Sequence, residues 1–277
     1  MTASGLAQLL EESGLGDAAV HVRSLDADCG WSVDDGRWRY PASMIKVPLA
    51  VAAAAAVEEG RLAWDAAVRV ETGDMTTNDA PSPLGPSVSV SLREAVTLAL
   101  QRSDNVATNV LIDVLDRDRA TASLHALGFR DTYVRRKLSG SLPLIDDPAA
   151  TGRNSFPACE AAALFAAIAR DEVPAAPLLR DILAVSWWDV KLSRGLQPSD
   201  RFAHKTGDTD EVTHDGGILT LAGGARWVLV VYTALPSSEE HHLRFGTFMR
   251  ALRPHLDTPR EGAASLRSAG DTLPVKE

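Results

Sequence analysis

The rhythm of apolar positions changes twice along the chain. Over 5–13, Leu6, Leu9 and Leu10 fall on one side of a 3.6-residue repeat, which predicts a short helix. Over 18–25 and 30–33 the pattern is strand-like, with turn residues at 26–29 between the two runs, and this predicts a hairpin. From Ser43 the repeat is helical again. The stretch 43–59 is rich in alanine and stops at Gly60, and Ser91 with Glu94 forms a capping box that opens a helix to about Leu100. Further amphipathic helices are predicted over 105–115 and 155–170. After Gly195, β-branched and aromatic residues mark strands over 201–206, 216–221 and 227–232, with Gly223 and Gly224 making a tight turn. A last helix is predicted over 237–256, and from Asp257 the chain is polar and reads as a loose tail.

Strands at both ends and helices between them predict an α/β fold: one sheet assembled from both ends of the chain, plus an inserted, mostly helical lobe. The expected division is a discontinuous sheet lobe (1–41 and 186–258), a helical lobe (42–185) and a flexible tail (259–277). Two segments, 72–89 and 136–154, are too long for plain connections, and loops of that length commonly form the walls of a site. A helical insertion into a sheet domain also leaves a cleft between the two parts.

Composition narrows the function classes. With 277 residues, 45% hydrophobic and 23% charged, the chain has the make-up of a globular protein with a substantial core. A net charge of −9 and no Lys/Arg stripe argue against nucleic acid as a partner. The longest apolar run, 47–57, is too short to span a bilayer, and the first ten residues lack a secretory pattern, so a cytoplasmic protein without membrane association is expected. Cys29 and Cys159 read as two buried free thiols rather than a disulfide. No cysteine–histidine cluster has zinc spacing, and the adjacent His241 and His242 point in different directions on a helix.

Three short motifs carry candidate chemistry. In Ser43-Met44-Ile45-Lys46 a helix starting at Ser43 sets the lysine amine beside the serine hydroxyl. The amine then takes the serine's proton if burial or a nearby cation depresses its pKa. Ser103-Asp104-Asn105 lies between two predicted helices, and Lys205-Thr206-Gly207 on a predicted strand. Each motif alone also fits a cap or a solvated edge. Together, in this order and context, S-x-x-K, S-D-N and K-T-G form the signature of class A β-lactamases and penicillin-binding proteins.

The chain resembles class A serine β-lactamases over about 18–256. The resemblance extends to RYPASMIKVPL around Ser43, DNVATNVLI after the second motif and NSFPACEAAALFAAI over 154–168. It implies a five-stranded antiparallel sheet with flanking helices and a mostly helical lobe. It also implies acylation of Ser43 with Lys46 as general base, and Ser103 passing the proton on. By the same likeness Asn105 contacts the substrate amide, and Lys205 and Thr206 hold a substrate carboxylate, with Gly207 leaving room for the ligand. The oxyanion hole that the resemblance implies is the pair of N–H groups of Ser43 and Asp208. The implied substrate is a small lactam, amide or ester, and neither metal nor organic cofactor is called for.

Two departures stand out. The family's hydrolytic members carry Glu-x-x-Leu-Asn in the omega loop, where the glutamate positions the deacylating water. Here 135–143 reads RRKLSGSLP, as in a divergent branch of class A-like hydrolases that lack the glutamate. The nearest acids are Asp146 and Asp147, read as solvated loop charges, and Glu160 inside the next helix. Acylation with slow attack by water is therefore expected, with weak β-lactamase activity. A non-hydrolytic lactam-binding module and a cell-wall D,D-peptidase are the alternatives. The second departure is the acidic run Asp208, Asp210, Glu211. Asp208 either points outward or pairs with Lys205, or it cancels part of the field that attracts a carboxylate and favours an amine-bearing substrate. Strand alternation turns His204 away from Lys205, whereas His214 is a weak candidate for an alternative base.

Overall fold

Alternating burial along β1 (Ala19–Ser24) sends Val20 and Val22 to one apolar core and Ala19 to the other. The computed structural model describes residues 1–257; the segment 259–277, read above as a flexible tail, lies outside the described residues. β1 turns into β2 (Gly30–Val33), forming the expected hairpin, and its other edge pairs with β7 (Arg226–Tyr232), with Val20 opposite Val231 and Val22 opposite Leu229. With β6 (Thr213–Thr220) and β5 (Arg201–Asp208) the sheet runs β2-β1-β7-β6-β5, every neighbour antiparallel. It is thus the five-stranded antiparallel sheet that the resemblance implies, assembled from both ends of the chain. A second, two-stranded ribbon joins β3 (Ala67–Arg69) to β4 (Ser89–Ser91).

The sheet is covered on both faces, which explains why β7 is an unbroken apolar run rather than an alternating one. Trp227, Leu229 and Val231 face α1 (Ala3–Glu12) and α8 (Glu239–Leu252), where Leu6, Leu10, Phe245 and Phe248 are fully buried. Trp31 stacks on Trp227 with ring centroids 5.6 Å apart. Val228, Val230 and Tyr232 face α6 (Ala158–Ala169) through Leu164, Phe165 and Ile168. α6 begins three residues later than its apolar repeat, because Ser155 pairs with Tyr133 in a β-bridge and Pro157 caps the helix in an extended conformation.

α2 (Lys46–Glu58) is buried on every side from Lys46 to Ala56. Its small side chains let α3 (Leu92–Gln101), α4 (Asn105–Leu115) and α5 (Arg117–Ala126) pack around it. α5 is not visible in the apolar pattern, since it buries only Ala120 and Leu124; α7 (Ala176–Leu183) is amphipathic, burying Ala176, Leu179, Ile182 and Leu183, but at eight residues it is too short to stand out. Cys29 and Cys159 are free thiols, each half-buried rather than buried. No helix among the described residues is long and apolar enough to cross a membrane.

Candidate active site

The expected helix does not start at Ser43. Residues Ala42–Ile45 form a 3-10 turn and α2 starts at Lys46, with Ala42 in the left-handed region at φ 47°. The 3-10 turn favours the pairing, since side chains three residues apart eclipse one another in it. Lys46 Nζ lies 2.9 Å from Ser43 Oγ. Strand β5 runs directly against this turn: a Cβ on Gly207 would sit 3.0 Å from Pro41 O and 3.2 Å from Ala42 Cβ. Glycine is needed there for close approach, not for unusual backbone angles.

Ser103 also takes a left-handed conformation, φ 59°, between α3 and α4, at a cost on the order of 1 kcal/mol. In that conformation both its carbonyl and its hydroxyl reach Lys46 Nζ, at 2.5 and 3.0 Å. Asp104 caps α4 by accepting from Ala107 N. Asn105 completes the cluster: Oδ1 accepts from Lys46 at 2.8 Å, and Nδ2 donates to Thr77 O at 3.0 Å with one N–H left over. Lys205 Nζ donates to Ser103 Oγ at 3.0 Å and to Thr206 O at 2.8 Å. The three motifs therefore converge on Ser103 Oγ, which sits between two lysine amines.

Four oxygens lie within hydrogen-bond reach of Lys46 Nζ. As a neutral amine it donates to the carbonyl of Ser103 and to Asn105, and has its lone pair for a serine hydroxyl. Burial pushes the Lys46 pKa well below the usual lysine range, and the charge of Lys205 pushes it the same way. Burial, with the charge of Lys191 next in weight, brings Lys205 down to about 7.

Lys191 carries no motif and went unremarked in the sequence. It is fully buried beneath β5, where Nζ donates to Asp208 Oδ2 at 2.7 Å, His214 O at 2.8 Å and Gly207 O at 3.3 Å. Asp208 thus pairs with Lys191, not with Lys205. His204 faces away from the cleft, as alternation requires, and bonds to Asp215 at 2.7 Å and Asp189 at 2.9 Å. Burial would lower its pKa, but the two carboxylates raise it to about 9. His214 is ill-suited as a base. Its Nε2 donates to Tyr40 O, its Nδ1 accepts from Thr233 N, and burial brings it down to about 4.

The segment 136–154 is tied down by a residue the motifs omit. Asn109, fully buried on α4, accepts from Leu138 N at 2.7 Å and donates to Leu138 O at 3.0 Å and Asp74 O at 3.1 Å. Its sequence signal was an amide on the apolar face of a helix. Lys137 adds bonds to Asp74 at 2.8 Å and Asp113 at 2.6 Å. Asp147 is not the solvated charge expected: its side chain is 3% exposed and bonded to Arg117 and to Lys137 N. Asp146 is exposed, and Glu160 accepts from Asp131 N and Thr132 Oγ1. None of these three acids is bonded to the cluster around Ser43. No group of three or more metal-ligating side chains occurs among the described residues.

The sequence of residues 2–247 matches the model of the beta-lactamase enzyme family. The chain belongs to this family. Among solved structures, PBP-A superposes with a TM-score of 0.80 at 23% identity, covering 92% of this chain and 97% of PBP-A. A beta-lactamase from Sphaerobacter thermophilus gives 0.78 at 22% identity, over 93% of this chain and 98% of that one. An ancestral class A beta-lactamase gives 0.78 at 24%, over 91% and 99%. At these identities the likeness establishes the family's fold for this chain. No curated protein matches it.

Proposed function

We propose that the protein is an active-site-serine hydrolase or acyltransferase that forms an acyl-enzyme at Ser43 on a small lactam, amide or ester. The observation carrying this reading is the fully buried amine of Lys46, with Ser43 Oγ at 2.9 Å and Ser103 Oγ at 3.0 Å. Lys46 takes the Ser43 proton as Oγ attacks the carbonyl. Ser103, held between Lys46 and Lys205, carries the proton to the leaving group. The N–H groups of Ser43 and Asp208 receive the oxyanion. The free N–H of Asn105 binds a substrate carbonyl, Thr206 and Lys205 line the leaving-group side, and Gly207 lets the substrate lie against β5.

Deacylation by water is slow on this reading. Asp146 is exposed, Asp147 is held by Arg117 and Glu160 by Asp131 N, and lack of a positioned base costs on the order of 10² to 10⁴ in rate. Weak β-lactamase activity follows, with either slow hydrolysis or transfer to another acceptor. Intact mass spectrometry of wild-type and Ser43→Ala protein, mixed with a penicillin and with an activated aryl ester, tests the reading. A persistent adduct that needs Ser43 is expected. Rapid multi-turnover penicillin hydrolysis would refute slow deacylation, and absence of any adduct with either donor would refute the acyl-enzyme.

A further inference from the structure

A lysine ammonium has three N–H groups, and all three of Lys191 are spoken for by Asp208, His214 O and Gly207 O. No N–H of Lys191 remains for a ligand. Its partner is just as fully engaged. Asp208 Oδ2 takes Lys191 at 2.7 Å, and Oδ1 accepts from Thr213 Oγ1 at 2.7 Å with His242 Nε2 at 3.3 Å. Lys191 is fully buried whereas a quarter of the Asp208 side chain is exposed, so the negative end of the pair is the end nearer solvent. Burial would raise the Asp208 carboxyl, yet His242 and Lys191 hold it well below the usual carboxylate range.

Asp208 directly follows Lys205, Thr206 and Gly207 on β5, the edge along which a substrate lies. Several other charges around the cleft are acidic or already engaged. Asp79, exposed, acts on Lys46, Lys191 and Lys205 alike, and Asp210 is exposed beyond β5. Arg153 pairs with Glu211 at 3.0 Å, and Arg102 donates to Pro81 O and lies over the Trp187 ring. Lys205, with a pKa of about 7, is only partly charged at neutral pH.

From this arrangement, and resting on the acyl-enzyme reading above, we infer that Asp208 cancels the field of the buried Lys191 cation and makes the site selective for acyl donors whose leaving group is uncharged or carries an amine rather than a carboxylate. The reaction itself is unchanged: the Ser43 Oγ–acyl bond forms, the bond to the leaving group breaks, and the serine proton departs on the leaving group.

The test uses three phenylacetate aryl esters that differ only at the meta position of the phenol: carboxylate, carboxamide or aminomethyl. Ser43 adduct formation is timed by intact mass spectrometry and normalised to each ester's spontaneous hydrolysis. The wild-type protein should be acylated at least tenfold more slowly by the carboxylate ester than by the aminomethyl ester, with the carboxamide between them. Asp208→Asn removes the carboxylate charge beside Lys191, while its amide oxygen can still accept from Nζ, and should raise the carboxylate-to-carboxamide ratio at least tenfold. A wild-type preference for the carboxylate ester, or a ratio unmoved in a folded Asp208→Asn protein, overturns the inference. The three free phenols are titrated against Ser43→Ala by ligand-observed NMR, which requires neither acylation nor the Asp208 variant. Tighter binding of 3-hydroxybenzoate than of 3-hydroxybenzamide would overturn the inference there too. Failure of every ester to label Ser43 would instead refute the acyl-enzyme reading, and the phenol series would still decide the charge preference.

Discussion

Asn109 is a demanding test of how the wall of the site is held. Replacing it with alanine removes three hydrogen bonds and leaves Leu138 N–H, Leu138 C=O and Asp74 C=O without that partner beneath the loop. An orphaned buried donor costs about 1–3 kcal/mol, and each lost bond contributes roughly 1 kcal/mol. Better helix propensity of alanine returns only about half a kcal/mol. A net loss of about 3–4 kcal/mol follows, which lowers Tm by roughly 10 °C in a domain of this size. Asn109→Asp sharpens the argument, because the side chain keeps its shape. Oδ1 still accepts from Leu138 N, but the atom that donated to two carbonyls becomes a second acceptor facing them. The aspartate variant should therefore lose at least as much as the alanine variant at pH 8, and should recover part of the loss near pH 5 as a protonated carboxyl regains one donor. Urea unfolding followed by tryptophan fluorescence measures the change, and hydrogen–deuterium exchange over 136–147 reports release of the loop. If Asn109→Asp stays within 1 kcal/mol of wild type at pH 8, the reciprocal bonds to Leu138 do not hold the loop.

Other consequences can be checked separately. Acylation by an uncharged ester should fall at low pH as Lys46 becomes protonated, and again above about pH 7 as Lys205 loses its proton. Lys205→Arg should abolish the alkaline limb, because arginine stays charged; a wild-type rate that is flat from pH 6 to 9 would contradict the assigned cations. Gly207→Ala places a methyl 3.0 Å from Pro41 O and should slow acylation on the order of 10²-fold by displacing the Ser43 turn, at a stability cost of about 1–2 kcal/mol. A rate within twofold of wild type would show that the turn gives way freely. The raised pKa of His204 means its bonds to Asp189 and Asp215 stabilise the fold fully below pH 6.5 and lose that contribution as pH rises through about 9. Urea titrations should show up to about 3 kcal/mol lost across that window in wild type and little in His204→Gln.

What could be read from the sequence is what lies close together along it. β7 announces itself as RWVLVVY, and α4 begins where Asp104 caps it. The motif residues were legible through resemblance, and their convergence on Ser103 Oγ follows once α2, α4 and β5 are packed. Lys191 was not legible, because its meaning lies in Asp208 and in two carbonyls on β5 and β6, brought beneath it only by the sheet. Asn109 was hidden similarly, because its partner Leu138 lies beyond α5 in the chain and is brought to it only by the fold. Asp147 was misread because loop aspartates are usually solvated, whereas Arg117 lies on a helix whose apolar pattern is too sparse to predict. The left-handed backbone of Ser103 has no signature in a serine.

The pairing of β1 with β7 also has a consequence for synthesis. About two hundred residues separate the two strands, so the hairpin of β1 and β2 leaves the ribosome long before the strand that completes its sheet exists. Through most of that interval, the residues already made of the core around Val20 and Val22 are those of α1, the hairpin and the link between them, Leu6 and Leu10 among them. Ser43 is made early, yet Lys205 comes from β5, near the far end of the sheet's assembly. On the acyl-enzyme reading, a serine that takes up an acyl probe therefore reports a chain whose last strands have already closed around it.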